Sequence, residues 1–366
     1  MMGLQETPAR LFYDFCLDEH VPSDHMLRGI DRHLDLTELR LSLKPFYSQM
    51  GRPSVDPELM MRRLIVGYCM GIRSERRLCE EAHLNLAYRR FCRLGLDGKV
   101  PDHWTFSKNR HGRFRESDAL RHLFESVVQR CMAEGLVGAA GFAVDVSLVA
   151  ADANKQRSVP NKDWRHAELK EDAVRAAREY LATLDDAAFG AASSVAPKFI
   201  SRSDPAAQWT GAHKGHAFFA DAANYLIDTD HGVISVEATR AIRQAEVGAA
   251  QTMIERTVTR FGMKPNSLVA DSAYGSAESL AWLVDQKAIK PFIPVIDTSS
   301  RKAACHLRKK VEMLFAHLKR IIRLARLRLR GPNGARDEFL LAATAQNLRR
   351  LARLRPIGGL QVVIAS

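Results

Sequence analysis

The spacing of apolar positions changes near Gly141, from a helical period before it to short strand-like runs after it. To about Leu136 the chain reads as helical. Asp56-Pro57-Glu58 starts one helix: Asp caps, Pro fits the first turn, and Glu favours the positive end of the dipole. Apolar residues then run through Leu59, Leu64, Ile65 and Tyr68 to Met70, and Gly71 ends the run. Further helices are predicted from Ser74 to His83, Leu86 to Leu94, Thr105 to Phe114, and Ser117 to Glu134, the last closed by Gly135.

Beyond Gly141, the Val- and Ala-rich run Phe142 to Val149 predicts a buried strand. Ala153 to Pro205 is polar, with one helix expected from Trp164 to Leu184 and a Ser/Ala/Pro-rich loop after it. Gly215 to Ile227, the turn Asp228 to Gly232, and Val233 to Ala238 make a hairpin pattern. A helix (Ala245 to Phe261), a strand (Ser267 to Asp271), a helix (Ser276 to Gln286) and a strand (Pro291 to Ile296) follow. From His306 the chain reads as helix, broken at Gly331-Pro332-Asn333-Gly334 and resumed from Asp337 to Leu354. This order suits an α/β fold: a ribonuclease-H-like mixed sheet with helices on its faces, preceded by an all-helical N-terminal domain. The expected divisions are 1–136, 137–330, and a C-terminal basic helix and tail at 331–366.

Composition adds a partner class. With 46% apolar residues the chain can bury a large core, and its net charge of +12 and pI of about 9.6 point to a polyanion, nucleic acid by default. Ribosomal and membrane-surface proteins share that balance. The uncharged runs Leu64 to Ile72 and Leu136 to Val144 are too short to span a bilayer, so no membrane partner is expected. Asp14, Asp18 and Glu19 interrupt any signal-peptide core, and a cytosolic location is expected. The six cysteines form no CxxC pair and read as reduced thiols rather than a zinc site.

The charge is uneven. Residues 301–355 hold 16 Lys and Arg against 3 Asp and Glu, so the rest of the chain is close to neutral. There Arg323, Arg326, Arg328 and Arg330 alternate with apolar residues in an amphipathic basic segment. A DNA-backbone surface, a solvated face and a membrane-surface segment are all compatible with it. In the N-terminal part, Arg73, Arg76, Arg77, Arg89, Arg90 and Arg93 lie on or beside short helices, as in a helix-turn-helix module. A helical bundle with a solvated basic face fits the same pattern.

Three acidic residues stand where such a fold would place a metal site. Asp145 lies inside the first apolar strand, Asp271 ends another in Leu268-Val269-Ala270-Asp271, and Glu312 sits on a basic helix. A carboxylate inside an apolar strand is costly unless paired or metal-bound. Phosphoryl transfer by a pair of magnesium ions needs such oxygen donors. Singly, each has an ordinary reading: Asp145 pairing with a buried Arg, Asp271 capping the turn before the Ser276 helix, and Glu312 pairing with Arg308 four residues away.

Over nearly its whole length the sequence resembles insertion-sequence transposases of the DDE class. Gly51-Arg52-Pro53-Ser54 and the arginine-bearing helices are similar to that family's DNA-binding domain. Val144-Asp145 resembles its first catalytic aspartate, and Ala270-Asp271-Ser272-Ala273-Tyr274-Gly275 its second. Arg308, Glu312 and Lys319 match the spacing of Arg, three residues, Glu, six residues, Lys. On a helix Arg308 lies about 40° and Lys319 about 20° from Glu312, on one face. Cys305 replaces the Tyr usual three positions before that Arg, and the stretch from Ile296 to Arg308 is shorter than in relatives that carry a long insertion there.

The resemblance implies an enzyme that cuts element ends and joins them to target DNA. Asp145, Asp271 and Glu312 would be both catalytic and metal-binding, with Mg²⁺ or Mn²⁺ as cofactor. Arg76, Arg77, Arg89, Arg90, Arg308, Lys319, Arg323, Arg326, Arg328 and Arg330 would contact DNA. Its partners would be double-stranded DNA, as terminal repeats and target, and further copies of itself in a homo-oligomer on the DNA of a bacterial nucleoid. The alternatives are a DNA-binding remnant damaged by an internal deletion, and a ribonuclease-H-like nuclease without strand transfer.

Overall fold

The computed structural model describes residues 15–48, 50–51, 54–164, 175–187, 198–212, 215–238, 246–294 and 298–356. Arg52 and Pro53, the first part of the helix expected from Trp164, the Ser/Ala/Pro-rich loop at 188–197, Ile296 and the tail after 356 lie outside the described residues.

The N-terminal helices start where their caps dictate. The Asp56 carboxylate accepts the Glu58 N–H at 2.7 Å, and the Pro57–Cys69 helix follows. Ser74, Asn85 and Asp102 cap Glu75–Leu84, Leu86–Phe91 and His103–His111. The helix expected to reach Phe114 breaks at Gly112, and a short Arg113–Glu116 helix precedes Ala119–Ala133.

The strands are β1 (Phe142–Ala150), β2 (Ser158–Pro160), β3 (Phe199–Ser201), β4 (Gln208–Ala212), β5 (Gly215–Asp228), β6 (Ile234–Ala238), β7 (Ser267–Val269) and β8 (Lys290–Phe292). The main sheet runs β4-β5-β1-β7-β8, with β6 beside the other half of the β5 edge that β4 occupies. β5 is antiparallel to β1, while β7 and β8 are parallel to it. This is the mixed sheet expected, and the predicted β5–β6 hairpin is present. β2 and β3 form a separate two-stranded ribbon within the stretch expected to hold only a helix and a loop.

Further expectations need correcting, among them the last helix, which starts at Pro332 rather than Asp337. β4 was not foreseen. The helix expected from Ser276 to Gln286 is α-helical only over Ala277–Ala281 and continues as a π turn, Trp282–Gln286. The helix expected to run from His306 to Gly331 spans Thr298–Arg320 and stops there. On a helix Ile322 and Leu324 would point roughly 200° apart. Turns after the helix, one of them at Arg323 with a φ of +60°, let Ile322, Leu324 and Leu327 all turn inward, and all three are buried. This segment adds to the sheet edge: the Ala150 N–H donates to the Ala325 carbonyl (3.2 Å), and the Leu327 N–H to the Ala150 carbonyl (2.7 Å).

The Pro332–Leu354 helix is buried on nearly all sides along its middle, where Phe339 to Ala343 are apolar and Glu338 and Asn347 are buried with hydrogen-bond partners. It packs against the Met26–His33, Pro57–Cys69 and Ala119–Ala133 helices and against β6. The Asn347 side chain accepts from the Ile234 N–H (2.9 Å) and donates to its carbonyl (2.8 Å). The Arg349 guanidinium donates to the Cys69 carbonyl at 2.6 Å. One hydrophobic core therefore joins Leu27, Phe106, Phe142 and Phe339. No helix among the described residues is long and apolar enough to cross a membrane.

Candidate active site and basic surface

β1 and β7 pair in parallel with Phe142 opposite Leu268 and Ala143 opposite Val269. Asp145 and Asp271 each lie two positions beyond the last of these pairs, so the sheet register brings the two aspartates to the same level. The Asp145 carboxylate accepts its neighbour Val146 N–H at 2.8 Å. Asp271 caps the Ser272–Tyr274 turn by accepting the Ala273 N–H at 3.0 Å, while Ser276 caps the next helix. Glu312 is exposed on the Thr298–Arg320 helix, which lies against β1, β7 and β8 and buries Val311, Leu314, Phe315 and Leu318. The ring of Phe315 stacks on Tyr225 of β5 at 5.8 Å.

Electrostatics link the three carboxylates. Burial pushes the Asp145 carboxyl up from its ordinary range, and the charges of Asp271 and Glu312 push the same way. The Val146 N–H and the Arg308 guanidinium act against them. Asp145 thus feels all of its expected partners and the arginine of the helix motif. No ion pair among the described residues joins Glu312 to Arg308, so the ordinary i,i+4 reading has no support. The donor set is all oxygen and mutually repulsive, which suits a hard divalent cation. Among the described residues, however, no three His, Cys, Asp or Glu side chains stand close enough to surround one ion.

The arginines divide into structural and exposed groups. Arg89 is 2% exposed and donates to the carbonyls of His83, Gly95, Leu96 and Gly98. It holds the turn after its helix together, and the expectation that it touches DNA is corrected on that ground. Arg90 is largely covered and pairs with Asp18 and Asp31. Arg93 is exposed and pairs with Glu58. Arg73 is 5% exposed, pairs with Glu338 and stacks over Tyr68 at 4.2 Å. Arg76 is exposed, and so is Arg77, which pairs with Glu81. On the other side, Arg308 and Lys319 are half-buried, while Arg323, Arg326, Arg328 and Arg330 are exposed. Asp152, just past β1, pairs with Arg326 (3.4 Å) and Arg330 (2.8 Å).

Residues 15–112 match the family model of a transposase domain (DUF772), and residues 193–348 match that of a transposase DDE domain. The chain belongs to the insertion-sequence DDE transposases. Neither the curated proteins nor the solved structures give a match. The DDE match includes Asp271 and Glu312 of this transposase, whereas Asp145 lies between the two matched segments. The first aspartate therefore rests on its place in β1 and on its field. As a transposase the protein acts on DNA.

Two acidic residues went unnoticed in the sequence because they lie in segments that read as loop or hairpin. Asp221 of β5 is fully buried, and its carboxyl is pushed well up by burial and by Asp204. Burial likewise pushes Asp204 up to about 6, against the N–H groups of Gly331 and Ala207. Asp204 accepts the Gly331 N–H at 3.1 Å and so tethers the start of the Pro332–Leu354 helix.

Proposed function

We propose that this transposase cuts the ends of its element and joins them to target DNA, with Asp145, Asp271 and Glu312 as its catalytic carboxylates. The supporting observation is the meeting of their fields at Asp145, together with that of Arg308. They would hold Mg²⁺ or Mn²⁺. A bound pair of such ions activates the attacking oxygen and stabilises the leaving one in phosphoryl transfer. Burial and, to a lesser extent, the charges of Asp271 and Glu312 raise Asp145, and a bound cation would relieve both. Arg308 and Lys319, on the same helix as Glu312, neutralise phosphate oxygens beside the reacting bond. In the first step, water attacks the phosphodiester at the element end, and the 3′ oxygen leaves as a hydroxyl. In the second, that hydroxyl attacks a target phosphodiester, forming the new bond as the target's 3′ oxygen leaves. The N-terminal helices, with Arg76 and Arg77 exposed, would select the element's repeats.

Incubating the purified chain with flanking repeat DNA and Mg²⁺ tests this. Cleaved ends joined to target DNA, lost with EDTA, are expected. Binding without cleavage would favour the damaged remnant, a reading that rests on the short stretch between Ile296 and Arg308. Cleavage without joining would favour a simple nuclease.

A further inference from the structure

The Arg323–Arg328 stretch faces the turn after the Pro57–Cys69 helix across a cavity of about 520 Å³. Five arginines line it, Arg73, Arg77, Arg323, Arg326 and Arg328, with Asp152 as the one acid. Glu338 takes one end of Arg73 and also accepts the Arg328 and Leu329 N–H groups (2.5 and 2.6 Å), which fixes the two walls to each other. Arg73 is buried, yet its Nε and Nη1 atoms have no hydrogen-bond partner. Among the described residues no ion pair holds Arg323 or Arg328.

Backbone geometry at this cavity is specialised. Arg323 has a φ of +60°, a conformation that a non-glycine residue adopts at a cost and that tends to persist at functional sites. Gly71 has a φ of +67°, and a methyl there would stand 2.6 Å from the Ile321 carbonyl oxygen. The two walls touch only because that position carries no side chain. Ser74, at the N-terminus of the Glu75–Leu84 helix, also lines the cavity, so the helix's partial positive charge adds to that of the arginines.

We propose that this cavity seats a backbone phosphate of the DNA, at a distance from the carboxylates that one duplex can bridge. The inference rests on the DNA-cutting function proposed above. Arg330, exposed beside the cavity and paired with its one acid, Asp152, adds a further cation next to it. Ala150 of β1 bonds to Ala325 and Leu327, two residues of the cavity wall. From Asp145 to Ala150 the strand advances roughly 16 Å. At about 3.4 Å per nucleotide along one strand, that is about five base pairs. The cavity joins a wall from the N-terminal module to one from the catalytic sheet, so a phosphate held there sets how far the cleaved bond lies from the recognised sequence.

Arginine modification by phenylglyoxal, read residue by residue by mass spectrometry, tests the assignment on the full chain. Duplex DNA should slow modification of Arg323 and Arg328 severalfold but leave Arg260, on the Glu246–Phe261 helix, unchanged. Inorganic phosphate at the same total phosphate concentration should protect neither. Equal reactivity with and without DNA would overturn the proposal, and so would equal protection by inorganic phosphate, which would mark a site for a small anion. As a second measurement, Arg328→Gln should flatten the slope of log K against log[salt] by about 0.9. A native chain that fails to bind duplex DNA at all would refute the functional reading itself. DNA binding without protection would refute the phosphate seat alone.

Discussion

Replacing Arg323, Arg326, Arg328 and Arg330 together with Gln should flatten the salt dependence of DNA binding by a predictable amount. Each phosphate neutralised by the protein contributes about −0.9 to the slope of log K against log[salt]. Four independent cations would give about 3.6 units. The structure reduces that figure, because Asp152 lies 3.4 Å from Arg326 and 2.8 Å from Arg330 and offsets one charge. Three net charges remain, so the expected change is about 2.7 units. Sequence preference should hardly move, since phosphate contacts position a protein without reading bases. Fluorescence anisotropy on a labelled duplex, titrated from about 50 to 200 mM salt, measures the slope. An unchanged slope in the folded quadruple variant would refute the reasoning and leave the segment as a solvated face.

Other predictions concern the supports of the site. Glu338→Ala removes the partner of buried Arg73 and the acceptor of two backbone N–H groups, and should cost about 3–5 kcal/mol in denaturant unfolding; a loss under about 1 kcal/mol would mean that the pair is dispensable. Gly71→Ala forces a side chain into a φ of +67° and against Ile321, and should lower stability by about 1–3 kcal/mol; a melting temperature equal to the native one would contradict the close approach. Asp204 has its carboxyl raised from 3.8 to about 6, so between those values the folded chain holds a proton that the unfolded chain has lost. This group's contribution to stability therefore falls as pH rises through that window and is level above it. Asp204→Asn should gain stability relative to the native chain across the window and no further beyond it, and parallel melting curves would rule out the raised carboxyl.

Much of this was legible in the sequence, for physical reasons that differ by element. β1 announced itself because Phe142 to Val149 is almost wholly apolar, and an aspartate inside such a run is conspicuous; Leu148 is nonetheless exposed. Caps at Asp56 and Ser74 marked helix starts through local hydrogen bonds alone. β2, β3 and the π turn at Trp282–Gln286 are too short to impose a period on the sequence. The Arg323–Arg330 stretch misled because basic residues alternating with Leu and Ile suit a basic helix in composition, and only the burial of both Ile322 and Leu324 reveals that the helix has ended. Arg89 misled for another reason: composition shows an arginine on a short helix, but not that the carbonyls of Gly95, Leu96 and Gly98 lie within its reach. The Gly-rich spacing after that helix was the available signal.

Cleavage of element-end DNA by carboxylate variants tests the central claim most directly. Asp145→Ala, Asp271→Ala and Glu312→Gln should each abolish strand cleavage in Mg²⁺, because each removes or neutralises one of the three charges whose fields meet at Asp145. Binding to the same duplex, measured in parallel, should stay at the native level or rise slightly as repulsion of phosphate falls. Any of the three variants cutting at the native rate would contradict the assignment.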